Sequence, residues 1–302
     1  MEDNKPEIVE QDIVVRPPET EEPKKPDISE QEMSFWDHLD ELRGSLFRAA
    51  IGIFIAMIVV FLNKGLVFDT IVFAPKSSDF IIYRWLCSLA DKWNFPALCP
   101  EPFNIELQNI ILSGQFFTHI STSFWFGLVI AFPWVIYQLW RFVRPALYEH
   151  ERRHSVQAFF FGSLLFFLGV LTAYFLVFPL TIRFFSGYHL SNELLVANQI
   201  TLKSYISTFT TLMLAMGLVF EMPILLYVLS RVGIVSKNFL RKYRKHAIIV
   251  IMIIAALITP TADPFTMFAV ALPILALYEF SIWICKNGPK PDEEEEEKVK
   301  AK

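Results

Sequence analysis

The sequence predicts an all-α membrane protein with six transmembrane helices, kinked and uneven in length. Three observations carry this reading. Of 302 residues, 54% are hydrophobic, 30 are Phe and only 19% are charged, a balance that suits lipid better than water. The apolar residues fall in six runs separated by polar connections. Lys and Arg crowd into alternate connections, which fixes a direction across the bilayer. Helices are the only plausible spans, because backbone groups in hydrocarbon must pair internally.

The elements follow in order. Residues 1–33 are rich in Glu, Pro and Lys. They hold too little apolar surface to offset chain entropy, so they read as a disordered tail. Residues 286–302, with the run Glu293 to Glu297, read the same way. The membrane domain is therefore 34–285. No cleavable signal peptide is expected ahead of the first apolar run. The spans are 46–62, about 120–140 with an extension back toward Leu112, 156–178, 205–229, 247–258 and 265–284. The fifth, at 1.5 Å per residue, reaches only about 18 Å of a core about 30 Å thick, so it needs flanking residues or a thinned bilayer. Pro75, Pro133, Pro179, Pro223 and Pro273 are expected to end or kink helices, giving a curved shell in place of a tight bundle.

Six spans put both termini on one side. Connection 141–155 carries Arg141, Arg144, Arg152 and Arg153, and connection 230–246 carries Arg231, Lys237, Arg241, Lys242, Arg244 and Lys245. Connection 179–204 has only Arg183 and Lys203, and 259–264 has neither type. Both termini and the two basic connections are therefore expected in the cytoplasm. Net charge is −4, with acids concentrated at the chain ends, and nothing suggests nucleic-acid binding. Cys87 and Cys99 then share an outer, polar loop, where a disulfide can form. The alternative is two free thiols. Cys285 reads as a small buried residue.

Several groups could carry chemistry. Ser34 and Asp37 form a capping-box pattern, and Phe35, Leu39, Leu42 and Leu46 make one stripe of an entry helix. Asp37 and Glu41 lie on a neighbouring face. Glu41 is either a solvated acid or an acid awaiting a cation, and Glu151 invites the same two readings. Held together, they would favour a dicationic ligand, and a guanidinium fork would suit each carboxylate better than an ammonium. His150-Glu151-Arg152-Arg153-His154 also spells the HExxH zinc-protease pattern. There the two arginines would stand beside the metal, so a metal is not expected. Glu221 lies inside the fourth span, where a carboxylate is functional by default. Its alternative is a neutral acid bonded to a hydroxyl. Ser207, Thr208, Thr210 and Thr211 form a polar stripe on that span, suited to a partner helix or a hydrated path. Asp263 is expected to cap the last helix ahead of Pro264, and Glu279 to reach toward water.

Together these residues resemble the multi-spanning C subunit of the twin-arginine protein translocase, the TatC family. The matching stretches are His38-Leu39-Asp40-Glu41-Leu42-Arg43, Ala74-Pro75, Phe142-Val143-Arg144-Pro145-Ala146-Leu147-Tyr148 with His150-Glu151-Arg152-Arg153, Tyr174-Phe175 with Phe178-Pro179, and Phe220-Glu221-Met222-Pro223. Thr259-Pro260 with Asp263, and Leu272-Pro273 with Glu279, complete them. The resemblance covers about 33–285.

It implies a glove-like shell in the bacterial inner membrane, acting as a cytoplasmic-side receptor for twin-arginine signal peptides. It further implies export of folded cargo driven by the proton gradient, without enzymatic activity or cofactor. Glu41 and Glu151 would contact the arginine pair, with Phe142 and Leu147 lining the site. Glu221 would face single-span TatA/TatB-type subunits in a multi-copy complex. Three departures stand out: an extended first outer loop around Cys87–Cys99, Gly44-Ser45 in place of a second basic residue, and Met267 where a Gln is frequent. The competing classes are an intramembrane metalloprotease using the HExxH stretch and an ion-coupled transporter using Glu221.

Overall fold

The computed structural model describes residues 35–94, 105–143, 149–187, 199–231, 233–259 and 263–285, without side chains for 35–38, 89, 93, 143 and 149–159. The chain divides into two units, Met1–Asp40 and Glu41–Lys302. Every element after the first helix belongs to the second unit.

Helix α1 (Phe35–Leu62) contains both the expected entry helix and the first span. It stops where Asn63 turns its amide back onto the Val59 carbonyl at 2.7 Å. A π-helical segment, Leu66–Val72, and a 3-10 turn, Ala74–Lys76, lead to α2 (Ile81–Trp93). Pro75 sits at the start of that turn, where a missing N–H costs nothing. The carbonyls freed at the end of the π segment are taken up by phenols. Tyr174 donates to Ile71 O at 3.0 Å and Tyr205 to Val72 O at 2.7 Å. Tyr83, on α2, donates to Pro179 O at 3.0 Å, and burial pushes its phenol up.

Two short strands, β1 (Leu107–Gln108) and β2 (Ile200–Thr201), pair in parallel with Leu107 opposite Ile200. The sequence expectation held no strand. Two residues on each side are below what alternation can reveal. The pairing ties the first long connection to the segment that enters the fourth span.

Helix α3 (Gly114–Val143) is continuous, with Pro133 inside it. Helix α4 (Glu149–Thr172) passes through a π-helical turn, Ala173–Val177, into α5 (Phe178–Gly187), so Pro179 stands in the first turn after the irregularity. The fourth apolar run is two helices, α6 (Leu202–Val219) and α7 (Met222–Arg231), separated at Phe220-Glu221. Pro223 falls in the first turn of α7, the tolerated place. Helix α8 (Lys237–Lys242) is capped by Ser236, which accepts from the Phe239 N–H. It precedes α9 (Arg244–Ile258) and α10 (Pro264–Ile284). Pro273, like Pro133, lies within an unbroken helix. These two prolines do not end helices, because neighbouring helices in a membrane fold can absorb the freed backbone groups.

Among the described residues, five helical stretches are long and apolar enough to cross a membrane: Leu39–Leu62, Gly114–Phe142, Phe160–Gly187, Leu202–Arg231 and Pro264–Ile284. The expected fifth span is α9, whose 15 residues rise only about 22 Å. Helices α4 and α6 pack tightly. A Cβ added to Gly169 would lie 2.6 Å from the Met216 carbonyl oxygen, so only glycine admits this approach. Phe166 stacks on Phe132 with centroids 3.5 Å apart, and Phe178 meets Phe209 edge-on at 4.8 Å. Outward, Leu46, Phe47, Phe54, Leu257 and Trp283 are all more than 60% exposed. A belt of large exposed apolar side chains on this scale is a lipid-facing surface.

Candidate functional site

Two of the candidate residues, Glu41 and Phe142, lie on α1 and α3. These helices run antiparallel in a register set by small and polar contacts. A Cβ on Gly127 would lie 2.7 Å from the backbone nitrogen of Met57. Farther along, Trp134 Nε1 donates to the Arg48 carbonyl at 3.1 Å. Arg48 Nε donates to Gln138 Oε1 at 3.0 Å, and its Nη2 to Ser45 Oγ at 2.9 Å. Ser45 and Gln138 are both buried. One turn beyond Ser45 stands Glu41, and one turn beyond Gln138, toward the same end, stands Phe142. The fold thus brings the helix turns of two predicted site residues side by side, each residue half-buried.

Leu147 lies outside the described residues. Glu151 is on the first turn of α4, but its side chain, like those of His150 and His154, lies outside them too. Ser34 and Cys99 are also outside. Cys87, on α2, is disulfide-bonded, and Cys285 is a buried free thiol.

Glu221 occupies the break between α6 and α7. Its own carbonyl accepts from the Ile224 and Leu225 N–H groups, starting α7. Its side chain points at α4, where a Cβ on Gly162 would come within 3.1 Å of Oε2. Glu221 Oε1 and the neighbouring Ser163 Oγ are both buried without a hydrogen-bond partner among the described residues. The expected alternative, a Glu satisfied by a hydroxyl, is therefore not the arrangement seen for Oε1. Gly162 was missed in the sequence; its only signal is a small residue in a Phe-rich run.

Ser207, Thr210 and Thr211, with Lys203 at the start of the same helix, line a groove of about 890 Å³ between α3 and α6, with Thr118 and Ser121 across it. Thr210 also donates back to Ile206 O at 2.8 Å. Asp263 caps α10 as expected, accepting from the Thr266 N–H at 2.8 Å and from its hydroxyl. Glu279 reaches water, its side chain 54% exposed, and in addition accepts from Arg244 Nη2 at 2.7 Å.

Taken together, the apolar belt and the long, uneven helices define a multi-spanning helical membrane protein. The family model described as "Sec-independent protein translocase protein (TatC)" matches residues 37–273, and the chain belongs to that family. A relative of that name from Blattabacterium sp. subsp. Periplaneta americana is 38% identical over 255 residues, covering 84% of this chain and 95% of that one. One from Aquifex aeolicus is 38% identical over 190 residues, covering 63% and 78%. A solved structure described as the twin arginine translocase receptor TatC, in DDM, matches with a TM-score of 0.63 at 34% identity, covering 82% of this chain and 99% of that one. The chain is thus a component of twin-arginine protein translocation.

Proposed function

We propose that the chain is the cytoplasmic-side receptor for twin-arginine signal peptides in a bacterial inner-membrane translocase. The observation that carries this is the α1–α3 register, which sets Glu41 and Phe142 on adjacent turns. Glu41 and Glu151 each accept one guanidinium of the arginine pair, while Phe142 and Leu147 contact the apolar residues that follow. Charge-assisted forks of this kind contribute about 1.5–3 kcal/mol per bond. Both termini are cytoplasmic, and α9 completes the six spans. Residues 1–33 and 286–302 flank the 34–285 membrane domain as tails. Cys87 pairs with Cys99 across the extended outer loop.

Glu221 receives the polar residue of a single-span TatA/TatB-type subunit, and several copies assemble around one cargo. The chain performs no covalent chemistry; the proton gradient drives passage of the folded protein. The test is binding of a twin-arginine signal peptide to purified protein in nanodiscs, beside Glu41→Ala and Glu151→Ala. Tight binding lost in both variants supports the reading. Equal affinity for twin-arginine and twin-lysine peptides overturns the fork, because the two carry the same charge.

A further inference from the structure

We infer that Arg48 is a positioning residue for the signal-peptide site, clamping the start of α1 to α3. This rests on the receptor reading. Just after Glu41-Leu42-Arg43 the chain carries two small residues, Gly44 and Ser45. The Arg48 guanidinium folds back along α1, with Nη2 on Ser45 Oγ at 2.9 Å, and a Cβ on Gly44 would lie 3.2 Å from Nη1. Gly44 and Ser45 are therefore the small, accepting floor on which the guanidinium rests.

The arginine also reaches the neighbouring helix: its Nε donates to Gln138 Oε1 on α3 at 3.0 Å. Its described partners are neutral oxygens, so its full positive charge is retained within half-buried surroundings. Gln138 is 1% exposed, and its Nε2 has no partner among the described residues, so the Arg48 bond is the one that fixes this amide. A planar donor that bridges Ser45 and Gln138 locks the turn after Glu41 to the turn before Phe142. A lysine ammonium is a point charge and lacks the rigid plane needed to hold both acceptors in one geometry.

The consequence is a specificity effect. An unclamped α1 still offers the Glu41 charge but no longer holds it in the plane a guanidinium fork requires. The experiment measures affinities of twin-arginine and twin-lysine signal peptides for wild type, Arg48→Met, Arg48→Lys, Gln138→Leu and the Arg48→Met/Gln138→Leu double variant in nanodiscs. Arg48→Met is expected to weaken twin-arginine binding about tenfold, and Arg48→Lys to restore only part of that loss. Twin-lysine binding should change less than about twofold, being insensitive to the fork plane. Gln138→Leu should cost a similar factor and the double variant no more than Arg48→Met, because one contact is being removed twice.

Gly44→Ala leaves every charge in place and only crowds the guanidinium, so a smaller loss in the same direction is expected. Unchanged twin-arginine affinity in Arg48→Met, equal loss for both peptides, or multiplied losses in the double variant would each overturn the clamp while leaving the receptor reading intact. Failure of wild type to bind either peptide overturns the receptor reading and the clamp's role with it.

Discussion

Glu221 and Glu279 are both carboxylates on predicted spans, and their surroundings are opposite. Glu279 is half exposed and meets Arg244, at the start of α9, at 2.7 Å. Glu221 stands at a break between helices, faces a glycine, and keeps a buried oxygen without a partner among the described residues. A folded chain that needed Glu221 only for stability could have given that oxygen a partner, as it gave one to Glu279. Leaving a buried polar atom bare costs about 1–3 kcal/mol. The difference sets an acid that serves the fold beside one that, in the function proposed above, receives another molecule.

The widest separation should come from replacing each acid in cells exporting a twin-arginine reporter. Glu221→Leu should reduce export by more than about a hundredfold, since it deletes the acid at the break. Export that survives Glu221→Leu would collapse the comparison. Gly162→Leu comes next. It fills the space before the carboxyl with an aliphatic side chain, and should lower export about tenfold or more at undiminished protein level, a small-residue contact being lost. Asp263→Ala acts on the other member by loosening the start of the helix that carries Glu279. Thermal unfolding in detergent should show a loss of about 1 kcal/mol, with export largely kept. The smallest change belongs to Glu279→Gln. A half-exposed ion pair contributes about 0–1 kcal/mol, so its melting temperature should stay within a few degrees of wild type. A large export defect there would show that Glu279 also has a functional role.

Much of this arrangement could be read in the residues. The apolar runs located α3, α10 and the end of α1 to within a few positions, and Asp263-Pro264 announced a helix start through side-chain chemistry alone. The Glu279 partner was missed, although a signal existed. Arg244 and Glu279 lie at equal distances on either side of the 259–264 turn, so an antiparallel hairpin must bring them together. The π-helical turns at 66–72 and 173–177 had no such signal; the first ends on carbonyls that take their donors from Tyr174 and Tyr205, distant in the chain. Arg48 and Gln138 were equally invisible. Their meeting depends on how far α1 slides along α3, which Gly127 decides by letting the two backbones touch. Periodicity reports which face of a helix is buried, and it carries no information on axial offset between helices.

The short reach of α9 has an electrical consequence. A membrane voltage falls across the hydrocarbon, and the field is that voltage divided by the distance. If α9 draws the bilayer down to its own length of about 22 Å, the same voltage that elsewhere drops over about 30 Å gives a field about 1.4 times steeper along this edge. A charge moving beside α9 would then do its electrical work over a shorter path, and feel a stronger pull at each step, than anywhere else on the perimeter.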